Sequence, residues 1–220
     1  FGGRVLAKGL KEAAALLGPP AEACVLHIRG GGINLHDWRP AWSVLLGQIV
    51  AGAGVCWQGP GVDAWTSEPD LGYTEIAEPF ITEGKAEAVA KTQAKKLWED
   101  SLGVCWFACW GVKDVLPNSA KAIELATGWK DFDQEEALAV GERLINMQRI
   151  IAIKRGFTSK DEFDVSDRLL EAPTEGRAAG KTIKPHLEDL VKDYYGEMGW
   201  EEAGRPTEAT LEKVGLSGEL

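Results

Sequence analysis

Apolar positions recur at helical spacing along most of the chain. Residues 83–99 carry Ala86, Val89, Ala90, Ala94, Leu97 and Trp98 at steps of three and four, which predicts an amphipathic helix with that face inward. Residues 133–155 hold the longest stripe, Ala137, Leu138, Leu144, Ile145, Ile150, Ile151 and Ile153, and Gly156 stops it. Residues 41–53 are apolar on nearly every face, so that helix should be buried. Asp37 is placed to cap it, with Pro40 in its first turn. Shorter helices are expected over 4–17, from Asn118 or Ser119 to Gly128, over 185–195 and over 207–214.

Strand signals are sparse. Residues 24–28 form one short extended apolar run, Arg29-Gly30-Gly31-Gly32 reads as a loop, and 59–82 is rich in Gly, Pro and Asp. The expectation is an all-α, multihelical fold with two helical subdomains. Residues 1–115 carry the buried helix, the long loop and a turn at Asp100-Ser101-Leu102-Gly103-Val104-Cys105; residues 116–220 pack against them.

Composition narrows the function. A net charge of −10 with no compact basic patch excludes a nucleic-acid backbone as partner. Pairs such as Lys95-Lys96 and Lys154-Arg155 read as solvated helix faces. The most apolar run, 41–56, is too short to span a bilayer, and Phe1-Gly2-Gly3-Arg4 does not open a signal peptide. The four cysteines, Cys24, Cys56, Cys105 and Cys109, are irregularly spaced, so free thiols and a cytoplasmic setting are expected. The chain starts without a methionine and reads as a fragment or a processed piece. Most of its nine tryptophans lie between Trp38 and Trp110, as in an aromatic core or pocket wall.

The turn at 100–105 concentrates the candidate chemistry. A carboxylate at Asp100 can accept two N–H donors side by side, which suits the edge of a pterin-like heterocycle. Gly103 lets backbone amides approach a ligand, and a thiolate at Cys105 can hold a soft metal or an iron–sulfur iron. The bland alternative is a capped helix end with a buried thiol. His36 precedes the buried helix and is a candidate proton carrier or a hydrogen-bonding residue. His27 reads as a core or surface residue, His186 as solvated, and Cys109 as packing. Glu75, Glu78 and Glu83 face either a substrate or water.

The turn Asp100-Ser101-Leu102-Gly103-Val104-Cys105 resembles the D-x-x-G-L-C element of the tungsten-containing aldehyde ferredoxin oxidoreductase family. The likeness extends over nearly the whole chain in consistent order. Arg29-Gly30 and His36-Asp37-Trp38-Arg39 resemble the family's approach to a buried helix. Asn146-Met147-Gln148-Arg149 and Arg155-Gly156-Phe157-Thr158-Ser159-Lys160-Asp161 resemble its N-x-x-R and R-E-G-F-x-R-x-D segments. Asp167-Arg168-Leu169-Leu170-Glu171, Tyr194-Tyr195, Gly199-Trp200 and Gly204-Arg205-Pro206-Thr207 follow its C-terminal sequence.

The resemblance implies the helical C-terminal part of a tungstopterin oxidoreductase acting on an aldehyde or a related carbonyl or acyl substrate. Asp100, Gly103 and Val104 would touch one pterin of a tungsten (or molybdenum) bis-pterin, and Cys105 would supply one thiolate of a [4Fe–4S] cluster. The implied partners are ferredoxin or another electron-transfer subunit, an N-terminal cofactor-binding region in the same protein or a separate chain, and a second copy in a homo-oligomer. Two features depart from the family pattern. Its C-x-x-C-x-x-x-C run is missing, so the cluster's other ligands lie outside this sequence. Trp57 stands where a G-x-x-H-like segment places a histidine, either as core or as the wall of a changed pocket. His36 and Trp57 are therefore the catalytic candidates. Two alternatives remain: a benzoyl-CoA reductase-like tungsten subunit, and a helical scaffold that has lost its active site.

Overall fold

The computed structural model describes residues 2–34, 36–52, 61–64, 67–109 and 112–220. Eleven α-helices, three short 3₁₀ helices and one two-stranded ribbon make up the regular structure of those residues. In chain order the α-helices and strands are α1 (Gly2–Leu6), α2 (Leu10–Leu17), α3 (Pro19–Glu22), β1 (His27–Ile28), β2 (Gly31–Gly32), α4 (Trp42–Val50) and α5 (Lys85–Ser101). They continue with α6 (Trp106–Cys109), α7 (Val115–Thr127), α8 (Gln134–Lys154), α9 (Asp167–Leu170), α10 (Leu187–Glu197) and α11 (Glu208–Lys213).

Helix α5 is the spine. It packs along α8 and also meets α10 and α4. The α5–α8 approach is close because Gly141 lacks a side chain: a Cβ there would overlap the Ala94 carbonyl. A helix covered on most sides must bury its charged residues, and α5 buries Lys85, Lys95, Lys96 and Glu99. Lys95-Lys96 is therefore not a solvated face. Each buried ammonium has a carboxylate: Lys85 pairs with Asp63 at 2.7 Å, Lys95 with Glu68 at 2.9 Å, and Lys96 with Asp100.

All nine residues of α4 are buried, as its apolar sequence predicts. It starts at Trp42, later than expected, and Asp37 does not cap it; that carboxylate instead accepts from the backbone and guanidinium of Arg39. Asp63 does the capping from a distant segment. Its two oxygens accept from Ser43 N and Ser43 Oγ at 2.8 and 2.6 Å. Helix α7 is handled alike. It begins at Val115, before Asn118, because Asp70 accepts from the amides of Asp114 and Leu116 at 2.8 and 2.9 Å.

Helix α8 is capped by its own Asp133, which accepts from Glu135 N and Glu136 N. Its buried face runs through Ala137, Gly141, Ile145, Asn146, Arg149 and Ile150, so Ile151 falls outside the stripe and is exposed. The N-terminal helix is broken at Gly9, whose φ of 92° is left-handed, and Leu6, Leu10 and Leu17 are exposed rather than inward. Residues 24–28 end in β1, which pairs with β2 across a two-residue turn. Arg29 and Gly30 both have positive φ, 51° and 75°, as a tight hairpin turn requires.

One large apolar cluster joins Ile28, α4, α5, Ile145 and α10, and a smaller one gathers Trp98, Leu116, Ala120 and Ala137. A buried polar hub binds the larger cluster together. Glu162 accepts from Arg149 at 2.7 Å, from Arg29 at 3.0 Å and from the Tyr195 hydroxyl at 3.1 Å. Arg29 also donates to Ile49 O and, at 2.6 Å, to Ala51 O, placing a cation at the carbonyl end of α4.

Candidate functional site

Helix α5 ends in a Schellman turn, and that turn positions the candidate residues. Leu102 is the last residue in helical conformation, and Gly103 follows at φ 71°. Gly103 N donates to Asp100 O at 3.0 Å and Val104 N to Glu99 O at 3.4 Å, the double closure of that motif. The left-handed φ explains why glycine stands at 103 whether or not a ligand binds. A Cβ at Gly103 would meet nothing within 4 Å, so the outer side of the turn is open.

Asp100, Gly103, Val104 and Cys105 are each exposed along this turn. The Asp100 carboxylate is 41% exposed and is paired through Oδ1 with Lys96. Cys105 is exposed. Val104 is 39% and Phe107 65% exposed, so apolar side chains flank the thiol. Cys109, four residues beyond Cys105, is buried, as the packing reading expected. Burial pushes its thiol pKa up, and the Glu99 carboxylate adds to the shift.

Beneath the turn lies a charged cluster that the sequence did not disclose. Lys95 Nζ sits 2.9 Å from Glu68 Oε2 and 2.9 Å from Glu99 Oε1; the Glu99 contact lacks hydrogen-bond alignment. One ammonium thus serves two buried carboxylates. Burial raises the Glu99 pKa against the pull of Lys95. Burial disfavours the Lys95 ammonium, but Glu68 and Glu99 outweigh it and hold its pKa above the ordinary lysine value.

The other candidates lie elsewhere. His36 is exposed and lines a hollow of about 540 Å³ with Cys24, Asn34, Arg39 and Arg168; no residue of the turn lines it. Trp57 and Cys56 fall outside the described residues. His27 is buried, and its Nδ1 accepts from Gly30 N at 3.4 Å. His186 is exposed, as expected, with its ring 5.6 Å from that of Trp42. Glu75, Glu78 and Glu83 are exposed.

The donor set is suited to sharing a cofactor rather than enclosing one. One exposed thiol, one open glycine turn and one accessible carboxylate oxygen fit a group that approaches from outside. Among the described residues no three His, Cys, Asp or Glu side chains converge on a metal position. Cys105 offers a single exposed thiol.

The motif segments beyond the turn have a structural role. Arg149 donates to Gly204 O at 2.7 Å and stacks on Phe157, Tyr195 and Trp200, while Asn146 accepts from Trp200 Nε1 at 2.8 Å. Glu162, on which these arginines converge, lies one residue past the segment that the resemblance marks.

These features define a helical domain with one open, solvent-facing turn at the end of its central helix. The family model for aldehyde ferredoxin oxidoreductase, domains 2 and 3, matches residues 2–216, and the chain belongs to that family. The tungsten-containing aldehyde ferredoxin oxidoreductase of Pyrococcus abyssi is 32% identical over 148 residues, covering 66% of this chain and 24% of the relative. That of Thermococcus kodakarensis is 27% identical over 218 residues, 98% of this chain and 34% of the relative. The WOR-like subunit of the aliphatic sulfonate oxidoreductase of Pyrococcus furiosus is 26% identical, covering 97% of this chain and 32% of that subunit. The chain thus spans between a quarter and about a third of these relatives. In fold it is similar to the BamBC active-site complex of benzoyl-coenzyme A reductase bound to 1,5-dienoyl-CoA. That match has a TM-score of 0.72 at 18% identity and covers 99% of this chain and 37% of the other.

Proposed function

We propose that this chain is the helical C-terminal part of a tungstopterin oxidoreductase that oxidises an aldehyde or related carbonyl compound and delivers electrons to ferredoxin. The observation that carries the reading is the open turn at 100–105, in a chain of the aldehyde ferredoxin oxidoreductase family, with Asp100, Gly103 and Cys105 all exposed. Asp100 accepts N–H donors of the pterin edge, and the absence of a side chain at Gly103 lets the ligand come close to the turn. Cys105 supplies one thiolate to an iron–sulfur cluster. When bound, such a metal–pterin and cluster supply the electron acceptor and the exit route. The apolar Val104 and Phe107 exclude water around the junction once a neighbouring region covers them.

The substrate-facing role falls to the region of His36 and Trp57. A tryptophan where the family pattern has a histidine favours a second reading, an acyl or aromatic thioester substrate in place of an aldehyde. Metal analysis of the native protein that contains this chain tests the proposal. Tungsten or molybdenum together with iron is the expected result, and absence of all three overturns it. Cys105→Ala should lower the iron content; unchanged iron and electron transfer would identify a scaffold instead.

A further inference from the structure

We propose that Lys96 is the positioning residue of the pterin grip: its buried ammonium holds the Asp100 carboxylate through Oδ1 and leaves Oδ2 to the ligand. The inference rests on the proposed pterin role of Asp100 and adds a residue that neither the turn motif nor the resemblance includes.

Three observations support it. First, the Lys96 side chain is only 6% exposed, whereas Asp100 is 41% exposed. The cation is fixed by the protein, and the carboxylate stands at the surface where a ligand arrives. Second, the pair runs against helix stability. Asp100 lies in the last turn of α5, where the helix dipole disfavours a negative charge. Lysine preceding the acid by four residues is also the poorer order for such a pair. The pair is therefore not in the order that most favours the helix. Third, among the described residues Asp100 is the carboxylate paired with Lys96. Its neighbour Lys95 is committed to Glu68 and Glu99, and Lys85 to Asp63.

The physical consequence is pre-organisation. A carboxylate at a helix end samples several rotamers, and a charge-assisted hydrogen bond to a buried donor selects one. A carboxylate has about four acceptor positions, so the oxygen bonded to Lys96 keeps a lone pair and the other keeps both. The ligand then meets a carboxylate plane that is already set.

The test uses the complete native enzyme. Lys96→Met retains the buried stem and deletes the charge, and Lys96→Arg restores a cation. After gel filtration, Lys96→Met should retain about tenfold less tungsten and pterin than the parent, the scale of losing a partner that orients a ligand-holding group. Its thermal midpoint should stay near the parent value, and Lys96→Arg should recover much of the loss. Asp100→Ala, measured in parallel, should lose tungsten. Full retention in Lys96→Met beside loss in Asp100→Ala overturns the positioning role and leaves the pterin site standing. Full retention in both overturns the pterin reading with it. A loss in Lys96→Met matched by a lowered thermal midpoint and not recovered by arginine marks a merely structural lysine. If Lys96→Met does not fold, Lys96→Gln takes its place with the same expected and overturning results.

Discussion

His27 has to remain neutral to keep its place. It is buried in β1, and its Nδ1 accepts from Gly30 N, which a protonated ring cannot do. Burial holds its pKa below the usual 6.5, against the opposing pull of Asp164. The unfolded chain therefore binds a proton at a higher pH than the folded one. Stability is complete above pH 6.5 and falls as the pH drops toward the lowered folded value, with a slope of at most about 1.4 kcal/mol per pH unit. Urea midpoints at pH 6.5 and 5.0 should show this loss, and His27→Gln should flatten it. The thiols differ in a similar way. Cys105 and Cys24 are exposed, whereas Cys109 is buried with its pKa raised. In metal-free protein iodoacetamide should label the first two roughly tenfold faster than Cys109, as read by peptide mass spectrometry. Equal rates would mean that α6 opens readily.

Among elements, the α5–α8 contact has the least slack. The hydrogen of Gly141 faces the Ala94 carbonyl with no room for a methyl group. Gly141→Ala gains helix propensity worth about 1 kcal/mol but forces the helices apart. Overpacking of about 1–3 kcal/mol or more should outweigh that gain and leave the variant less stable in chemical denaturation. This contact also shows what the chain discloses on its own. The stripes on α5 and α8 and the all-apolar α4 are visible as periodicity, because each is a local pattern. The starts of α4 and α7 are not, because their caps, Asp63 and Asp70, come from other segments. Nor is the burial of Lys95 and Lys96, which depends on the elements packed around α5 and, for Lys95, on Glu68 from another segment. Within the candidate site, the turn at Gly103 could be read from the sequence, since a left-handed helix end is a local property, whereas the exposure of Cys105 is set by the fold. The constraint that Lys96 places on Asp100 needed coordinates.

At the scale of the molecule, one carboxylate ties the N-terminal ribbon to the C-terminal helices. Glu162 is fully buried and accepts from Arg29 of the hairpin turn, Arg149 of α8 and Tyr195 of α10. Arg29 in turn holds the carbonyl end of α4, and Arg149 holds Gly204 O. Six stretches of the chain thus meet through this network, and of the family motif residues outside the turn Arg29, Arg149 and Tyr195 serve this purpose. Two guanidiniums beside one carboxylate leave a net positive charge in the interior. The rings of Phe157, Tyr195 and Trp200 offset part of it, each with its centroid between 4.5 and 5.2 Å from the Arg149 carbon. Removing the carboxylate charge removes the one ionic partner that the two arginines share among the described residues. Glu162→Gln preserves the volume and two acceptor positions, yet should cost about 3–5 kcal/mol, the range for a buried pair deprived of one member. Arg149→Met should cost less, because Arg29 keeps Glu162. The double variant should cost less than the sum of the singles, since the residues share one network. Denaturation curves for the three variants give the coupling directly. A Glu162→Gln loss below about 1 kcal/mol would mean that the apolar cluster holds the ribbon in place without the hub.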